Sequence, residues 1–205
     1  MKTESTCSGK AVEFERRVRA EREAARRVRL DREVKRVIPP LYRETDRNRL
    51  PRPDLAERVT AWKYGPRGLI LGGKTGTGKS RAMYLLLMRL LEEGHSIEGG
   101  AAVEWADRCS EVFSTRDGNG PGWMRRLTAA DVWFLDDLGK QVFTERGQAA
   151  FYGLVESRIA RKKPIIVTIN MTGDELAEKM SADRGEPTIR RLYEFCEVID
   201  FGGGL

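Results

Sequence analysis

A glycine-rich segment between two apolar runs most constrains how this chain can fold. Residues 72–80 read GGKTGTGKS, in which Gly73, Gly78, Lys79 and Ser80 fit the spacing glycine, four residues, glycine, lysine, serine or threonine. Glycines let successive backbone N–H groups converge on phosphate oxygens, and a helix that follows points its positive end at the same anion. The run GLIL before the segment and the run RAMYLLLMRLL after it predict a strand and a helix. The segment therefore predicts a phosphate-binding loop rather than an ordinary glycine-rich turn.

This loop assigns roles to particular side chains. Lys79 is predicted to lie along the β- and γ-phosphates of a nucleotide, and the hydroxyl of Ser80 is predicted to bind Mg²⁺. The predicted nucleotide-binding residues are Gly73, Lys74, Thr75, Gly76, Thr77, Gly78, Lys79, Ser80 and Arg81.

Polar side chains follow two other apolar runs. VWFLDDLG places Asp136 and Asp137 at the end of one predicted strand, and VTIN places Asn170 at the end of the next. Ligands of open α/β sheets lie at the carboxyl ends of the strands. Asp136 is therefore the expected partner of Mg²⁺, Asp137 is placed to orient or deprotonate a water, and Asn170 could hold that water. Solvated turns at the strand ends remain the alternative for all three.

The body of the chain alternates apolar runs with helical runs. Such alternation predicts a parallel sheet with helices on both faces. The predicted strands are 68–73, 101–106, 131–139, 164–170 and 197–201, and the main predicted helices are 80–94, 145–162, 173–180 and 188–195. A short helix beginning at a cap, Asp54, precedes the first strand, and a loop is predicted over 116–122.

Charge divides the chain into an arm and a body. Residues 1–50 hold 15 of the 37 basic and 9 of the 31 acidic residues, so they carry the whole net charge of +6. Residues 11–36 contain no glycine or proline and predict a basic helix with only a thin apolar stripe. Prolines at 39, 40, 51 and 53 end it, which predicts an arm of residues 1–36 and a body of residues 37–205. The arm could dock on a partner, touch phosphates or be a solvated helix.

The composition argues against several other functions. Three widely spaced cysteines and one histidine do not fit a zinc site or a histidine-based triad. The longest uncharged apolar run, AMYLLLM, is too short to span a bilayer, and the first residues lack the apolar region of a signal peptide. The predicted location is therefore the cytoplasm, with no membrane partner.

With these motifs the chain resembles the AAA+ ATPases, and within them the bacterial and phage loaders of replicative helicases of the DnaC type. The segments that carry the resemblance are IPPLY, GGKTGTGKS, FLDDLG, VTIN and GEPTIRRLYEFCEVIDF. The resemblance implies a P-loop α/β fold with a five-stranded parallel sheet in the order 5-1-4-3-2, flanked by helices and without a C-terminal lid domain. It also implies ATP and Mg²⁺ as ligands, and it makes Asn170 the strand-end sensor of the family.

The same resemblance singles out two arginines near the end of the chain. The family has an arginine before its last apolar strand that contacts the ATP of a neighbouring subunit. GEPTIRR places Arg191 at that position and Arg190 at the position of a family serine or threonine, while Pro187 replaces another family arginine. Arg191, with Arg190 as its substitute, is therefore the expected catalytic arginine supplied in trans, and the chain is expected to form homo-oligomers on ATP and DNA.

The resemblance implies a helicase loader that grips a replicative helicase through residues 1–36 and acts on single-stranded DNA. The alternatives are an IstB-like helper ATPase of a transposase, a nucleotide-switched adaptor with little turnover, and a small-molecule P-loop kinase. The candidate DNA contacts are two basic clusters, 123–126 and 161–163, with Trp123 available to stack on a base.

Overall fold

The computed structural model describes residues 5–114, 119–181 and 183–202. In chain order the elements are α1 (Ser5–Val37), α2 (Pro40–Arg43), a 3₁₀ turn (Arg47–Arg49), α3 (Pro53–Thr60), β1 (Gly68–Gly72), α4 (Lys79–Glu93), β2 (Ile97–Ala101), α5 (Ala102–Ser114), α6 (Asn119–Ala129), β3 (Val132–Leu138), α7 (Glu145–Ala160), β4 (Ile165–Ile169), α8 (Gly173–Glu178), α9 (Gly185–Phe195) and β5 (Cys196–Asp200). None of the helices in these ranges is both long and apolar enough to cross a membrane.

The five strands form one parallel sheet in the order β2-β3-β4-β1-β5. Read from the other edge this is the predicted order 5-1-4-3-2, so the predicted fold class is confirmed. Every residue of β1 and of β4 is buried, because helices cover both faces of the sheet centre. The parallel register brings the carboxyl ends of β1, β3 and β4 to one edge, where the predicted site residues lie.

Alternate side chains of the strands enter two separate cores. Leu69, Leu71 and Phe134 pack on one face with α3 and α4, whereas Ile70 and Leu135 pack on the other with α5, α7 and α9. This is the alternation that a strand buried on both faces must show.

The end of α1 packs on the body of the protein. Leu30, Val34 and Val37 join the core beside α4, and the Arg36 guanidinium donates to the carbonyl of Ile97 at 2.7 Å. One turn earlier than Leu30, Arg26 donates to the carbonyl of Glu92 at 2.8 Å. The described side chains before Arg26 are exposed, apart from one that is half-buried, so the first part of the helix projects from the body.

Three local predictions are wrong. The second strand is Ile97–Ala101, and the predicted strand 101–106 is instead the first turns of α5. Residues 119–122 of the predicted loop belong to α6, while residues 115–118 lie outside the described residues. The short helix α3 begins at Pro53 after Arg52, so Asp54 lies inside its first turn and is not its cap.

Candidate nucleotide-binding site

The predicted phosphate-binding loop connects β1 directly to α4. Gly78 has a φ of +96° and stands at the capping position before α4, where it offers no side-chain cap and leaves the first N–H groups of the helix for another acceptor. Gly73 has a φ of +131°, and a Cβ there would lie 2.9 Å from the carbonyl oxygen of Gly202. Both positions therefore require glycine, for the left-handed turn and for the close approach of the chain after β5.

Lys79 lies under the loop and is buried, with 4% of its surface exposed. Its ammonium donates to the carbonyls of Gly73 at 2.6 Å and Lys74 at 2.7 Å. Burial lowers the pKa of Lys79, while the carboxylates of Asp137 and Asp136 oppose that shift. The loop thus positions a cation behind backbone N–H groups, a donor set that fits the terminal phosphates of a nucleotide.

Ser80, Thr168 and Asp136 meet at one carboxylate oxygen. The Ser80 hydroxyl donates to Oδ1 of Asp136 at 2.8 Å, and the Thr168 hydroxyl donates to the same oxygen at 2.6 Å. Burial raises the pKa of Asp136, and the two hydroxyl hydrogen bonds partly offset this. A hydroxyl beside a carboxylate is a set of hard oxygen ligands that fits Mg²⁺, which is commonly held by one or two protein oxygens plus phosphate. In the described residues no group of three or more histidine, cysteine, aspartate or glutamate side chains suits a metal ion.

Asp137 is held on both of its oxygens. Its Oδ1 accepts from Nδ2 of Asn170 at 3.0 Å, and its Oδ2 accepts from Nζ of Lys140 at 2.7 Å. The residue has a φ of +60° at an irregularity in the β3–β4 ladder, and its N–H donates to the hydroxyl of Thr168 at 2.8 Å. Because of this turn the side chains of the two successive aspartates contact different partners, Ser80 for Asp136 and Asn170 for Asp137.

Lys79, Ser80, Asp137 and Asn170 border a cavity of about 440 Å³. Its lining residues are Leu41, Tyr42, Arg49, Pro51, Thr75, Gly76, Gly78, Lys79, Ser80, Arg81, Asp137, Lys140 and Asn170. The predicted residues Gly73, Lys74, Thr77 and Asp136 stand behind this lining. Gly73 and Lys74 instead supply the carbonyls that Lys79 contacts, and the Lys74 N–H donates to Gly202 at 3.1 Å.

The predicted contact Arg81 lies at the mouth of the cavity. Its guanidinium is 5.7 Å from the ring centre of Tyr42 and 3.3 Å from the hydroxyl of Thr45. Tyr42 itself stacks on Tyr84 with ring centres 4.4 Å apart. The segment before α3 thus forms one wall of the cavity, where the Tyr42 ring of α2 is fixed against Tyr84 of α4.

Sequence reasoning assigned no role to Thr168, Lys140 or Tyr42. Thr168 had a weak signal, because it is the polar residue of an otherwise apolar run, PIIVTI. Lys140 lies three residues after Asp137, a spacing that only the turn after β3 makes meaningful. Tyr42 is far from the loop in sequence and reaches the cavity through tertiary packing.

Arg190 and Arg191 lie outside this cavity. Arg191 has its Nε 3.1 Å from a carboxylate oxygen of Glu156 on α7 and its Nη1 3.5 Å from Glu194. Arg190 is exposed and borders a separate groove between α8 and α9, together with Asp174. The two neighbouring arginines therefore point to different surroundings.

Trp123 does not support the predicted base stacking. Only 8% of its surface is exposed, and it packs against Trp105 with ring centres 6.4 Å apart. Trp123 faces inward because its apolar ring, with Leu127 one turn later, closes the core under α6. The prediction that this ring stacks on DNA is therefore wrong.

The sheet order, the loop before α4 and the acid pair near the end of β3 together define a P-loop NTPase fold of the AAA+ type. No family model matches the sequence. An uncharacterized protein of Escherichia coli K12, YdaV, is 25% identical over 131 residues, which cover 59% of this chain and 52% of the relative. The match thus spans about half the length of that protein.

Solved structures of replication proteins share the fold. The chain superposes on DnaI with a TM-score of 0.58 at 20% identity, covering 73% of this chain and 79% of DnaI. For the DnaC helicase loader the TM-score is 0.56 at 20% identity, with coverage of 72% and 85%. For AMPPCP-bound DnaA from Aquifex aeolicus it is 0.62 at 17% identity, with coverage of 80% and 50%. At these identities the likeness establishes the fold, and it confirms the resemblance to the AAA+ helicase loaders at that level.

Proposed function

We propose that the chain is an ATP-dependent helicase loader, which hydrolyses ATP at subunit interfaces while it delivers a replicative helicase to single-stranded DNA. The main support for this proposal is that three groups lie together at one sheet edge: Lys79, the Ser80–Asp136 pair and the Asp137–Asn170 pair. The shared fold with the DnaC helicase loader and DnaI supports the choice of function among P-loop proteins.

In the proposed mechanism, the loop and Lys79 bind the phosphates. The Lys79 ammonium exchanges its two loop carbonyls for oxygens of the β- and γ-phosphates, and the N–H groups at the start of α4 donate to the same anion. Ser80 and Asp136 would hold Mg²⁺, which when bound neutralises charge on the transferred phosphoryl group. The cavity wall with Tyr42 and Leu41 has room for the base beside Arg81.

Asp137 and Asn170 are proposed to position the attacking water. Their side chains are 3.0 Å apart, so one water can contact both. The Oδ1 atom of Asn170 is buried and makes no hydrogen bond to the described residues, which leaves an acceptor free for a water proton. Asp137 then orients the water or accepts its proton, with Lys140 fixing the other carboxylate oxygen.

The catalytic arginine is proposed to act on a neighbouring subunit, because neither Arg190 nor Arg191 borders the cavity of its own chain. Arg191 must first release Glu156, whereas no ion pair with a described residue restrains Arg190. Mixing the Lys79→Ala protein separately with Arg190→Ala and with Arg191→Ala identifies the residue. Recovery of ATP hydrolysis in one mixture marks that arginine as the shared one, and recovery in neither contradicts a site between subunits.

The arm is proposed to dock on the helicase. Residues 26–37 contact the body, so the projecting part before Arg26 is the part available to a partner. A chain that begins at Arg26 should keep its ATP binding and lose capture of the replicative helicase from the native host. Capture that survives this truncation would refute docking through the arm.

ATP binding and phosphate release decide between this function and its alternatives. Calorimetry should show tight MgATP binding that Lys79→Ala abolishes and that Lys63→Ala, an exposed control, leaves intact. A nucleotide-switched adaptor is the second candidate, because Lys140 already pairs with Asp137. Phosphate release that single-stranded DNA stimulates supports the loader, binding without turnover supports the adaptor, and capture of a transposase in place of a helicase supports the IstB-like helper.

A further inference from the structure

Exposed cations from three segments lie at the edge of the sheet where the strands begin. Arg67 precedes β1, Arg125 and Arg126 lie on α6, and Lys162 lies in the turn after α7. All four side chains are exposed, and none of them forms an ion pair with a residue that the structure describes. We call these four residues the basic edge.

A buried arginine fixes two of these segments to each other. Arg158 is fully buried on α7, and its Nη1 donates to the carbonyls of Leu127 at 2.6 Å and Ala130 at 3.1 Å. Its Nη2 donates to the carbonyls of Asp131 and Pro164, each at 2.9 Å. The end of α6 and the turn before β4 are therefore held at one point.

A second contact brings the cations themselves close. Lys163 donates to the carbonyl of Ala129 and to that of Ala130 at 3.2 Å, so the residue after Lys162 touches the end of α6. Arg126 and Arg125 lie three and four residues before Ala129 on α6, which is about 4.5 and 6 Å along the axis. Two clusters that are far apart in sequence thus form one surface.

The start of β1 adds the remaining cation. β1 and β4 are parallel neighbours with Leu69 opposite Ile166, which places Arg67 beside Pro164. The strands approach closely here, because a Cβ on Gly68 would lie 1.9 Å from the carbonyl oxygen of Ile165. Arg67 is therefore held next to the turn that carries Lys162.

The acids near this edge already have partners, since Glu93 pairs with Arg89 and Glu197 pairs with Arg58. Asp131 accepts from the N–H and the hydroxyl of Ser96 at 2.9 and 2.8 Å, and it lies 3.6 Å from Nζ of Lys163. The positive charge of the basic edge is therefore left to attract an external anion.

An exposed aromatic ring accompanies these cations. Tyr64 is 40% exposed and stacks on His95 with ring centres 4.3 Å apart, and His95 precedes Ser96, the residue that contacts Asp131. A ring at this place can stack on an unpaired base but not on one within a duplex.

We propose that the basic edge binds the phosphodiester backbone of single-stranded DNA, on the side of the sheet opposite the nucleotide site. The choice of DNA as the polyanion rests on the proposed function. The location of the binding surface rests on the contacts that hold the four cations of the basic edge together. Binding through phosphates predicts weak sequence preference and a strong dependence on salt. A strand bound here leaves the nucleotide cavity open.

The test measures binding of a fluorescein-labelled oligothymidylate to the full chain by anisotropy, with Mg²⁺ and a non-hydrolysable ATP analogue. Arg125→Ala, Arg126→Ala and Lys162→Ala are combined in one triple variant, and Arg16→Ala, Arg22→Ala and Arg27→Ala form a control with the same loss of charge from α1. The triple variant should bind about tenfold more weakly and lower the slope of log affinity against log salt by about 2, which is three contacts at 0.7 each. The control should change affinity less than about threefold.

Several outcomes overturn the basic edge. Two of them concern the variants: the triple variant binds with unchanged affinity, or the control loses as much affinity as the triple variant. The other two concern the wild type: duplex DNA competes as well as the single strand, or the protein binds anionic vesicles but not DNA. Arg125→Lys with Arg126→Lys should retain binding, which separates charge from folding. Wild type that binds both ATP and the single strand, with a triple variant that binds equally well, overturns the basic edge alone. Wild type that binds DNA but not ATP overturns the proposed function alone.

Discussion

Lys140 holds one carboxylate oxygen of Asp137 at 2.7 Å while Asn170 holds the other at 3.0 Å. The acid expected to act on water is therefore fixed from two sides by residues of different strand ends. The orientation of the Asp137 carboxylate is thus set by these two partners, which belong to turns at the same sheet edge.

Replacing Asp137 tests its proposed catalytic role. Asp137→Asn keeps the size of the side chain and an acceptor for Asn170, but it removes the negative charge and the basic oxygen. Turnover should fall by about 100-fold or more, as expected for loss of a general base. MgATP affinity by calorimetry should stay within about threefold, and unchanged phosphate release would remove Asp137 from the catalytic set.

Replacing Lys140 tests whether the ion pair positions Asp137. Lys140→Met should lower kcat about tenfold because the carboxylate loses one of its two anchors, with little change in the Kd for MgATP. Lys140→Arg should restore most of the rate, a recovery that a merely steric role would not produce. Lys63→Met, at an exposed position outside the site, serves as the control, and equal rates in all variants would contradict the positioning role.

Asp136 should make stability depend on pH. Burial raises its pKa in the folded protein, so the ionised form costs stability at neutral pH, and this cost disappears as the pH falls below the pKa of the unfolded chain. Asp136→Asn keeps an oxygen for Ser80 and Thr168 and should raise the Tm at pH 8, with the gain shrinking as the pH falls through the raised pKa toward that of the unfolded chain. A lower Tm for Asp136→Asn than for the wild type at pH 8 would contradict the assignment.

Arg158 should be a major contributor to stability. Burial lowers the pKa of Arg158 to about 10, which leaves it charged at neutral pH. Arg158→Met removes its four hydrogen bonds to carbonyls and should lower the free energy of unfolding by about 3 kcal/mol or more. Denaturant unfolding measures this loss, and a change below about 1 kcal/mol would show that water satisfies those carbonyls instead.

Two truncations separate the projecting arm from the anchored part. Removing residues 1–25 should leave the Tm unchanged, because the described side chains there are largely exposed. Removing residues 1–36 also deletes Leu30, Val34 and the Arg36 contacts, and should cost about 2–4 kcal/mol. Equal stability of the two truncated chains would show that the packing of α1 on the body contributes nothing.

The sequence predicted the parts of the site that depend on local spacing. The loop before α4, the two aspartates near the end of β3 and Asn170 after β4 are brought to one edge by the parallel order alone. Thr168, Lys140 and Tyr42 were missed because their roles arise from the turn at Asp137 and from packing between distant segments. The roles of Arg190 and Arg191 stay predictions.

The second strand was placed wrongly because a short apolar run does not distinguish a strand from the start of a helix. Ile97–Ala101 contains Gly99 and Gly100, which strand propensity disfavours, yet a Cβ on Gly99 would lie 2.1 Å from the carbonyl oxygen of Phe134. Tertiary contact with β3 therefore selects glycine there. The following residues were mistaken for a strand because Ala102 and Trp105 show their helical period only when Cys109 and Val112 are included.

α4 begins at Lys79 in the phosphate-binding loop, and its last turn accepts the hydrogen bond from Arg26 of α1. The 15 residues of α4 make a stiff rod of about 22 Å between the two. The projecting length of α1 before Arg26 is about 30 Å, so a tilt of about 10° at its anchor would displace its tip by about 5 Å. A small rotation of α4 would therefore be enlarged at the tip of α1, because the lever beyond Arg26 is longer than the α4 helix that would turn it.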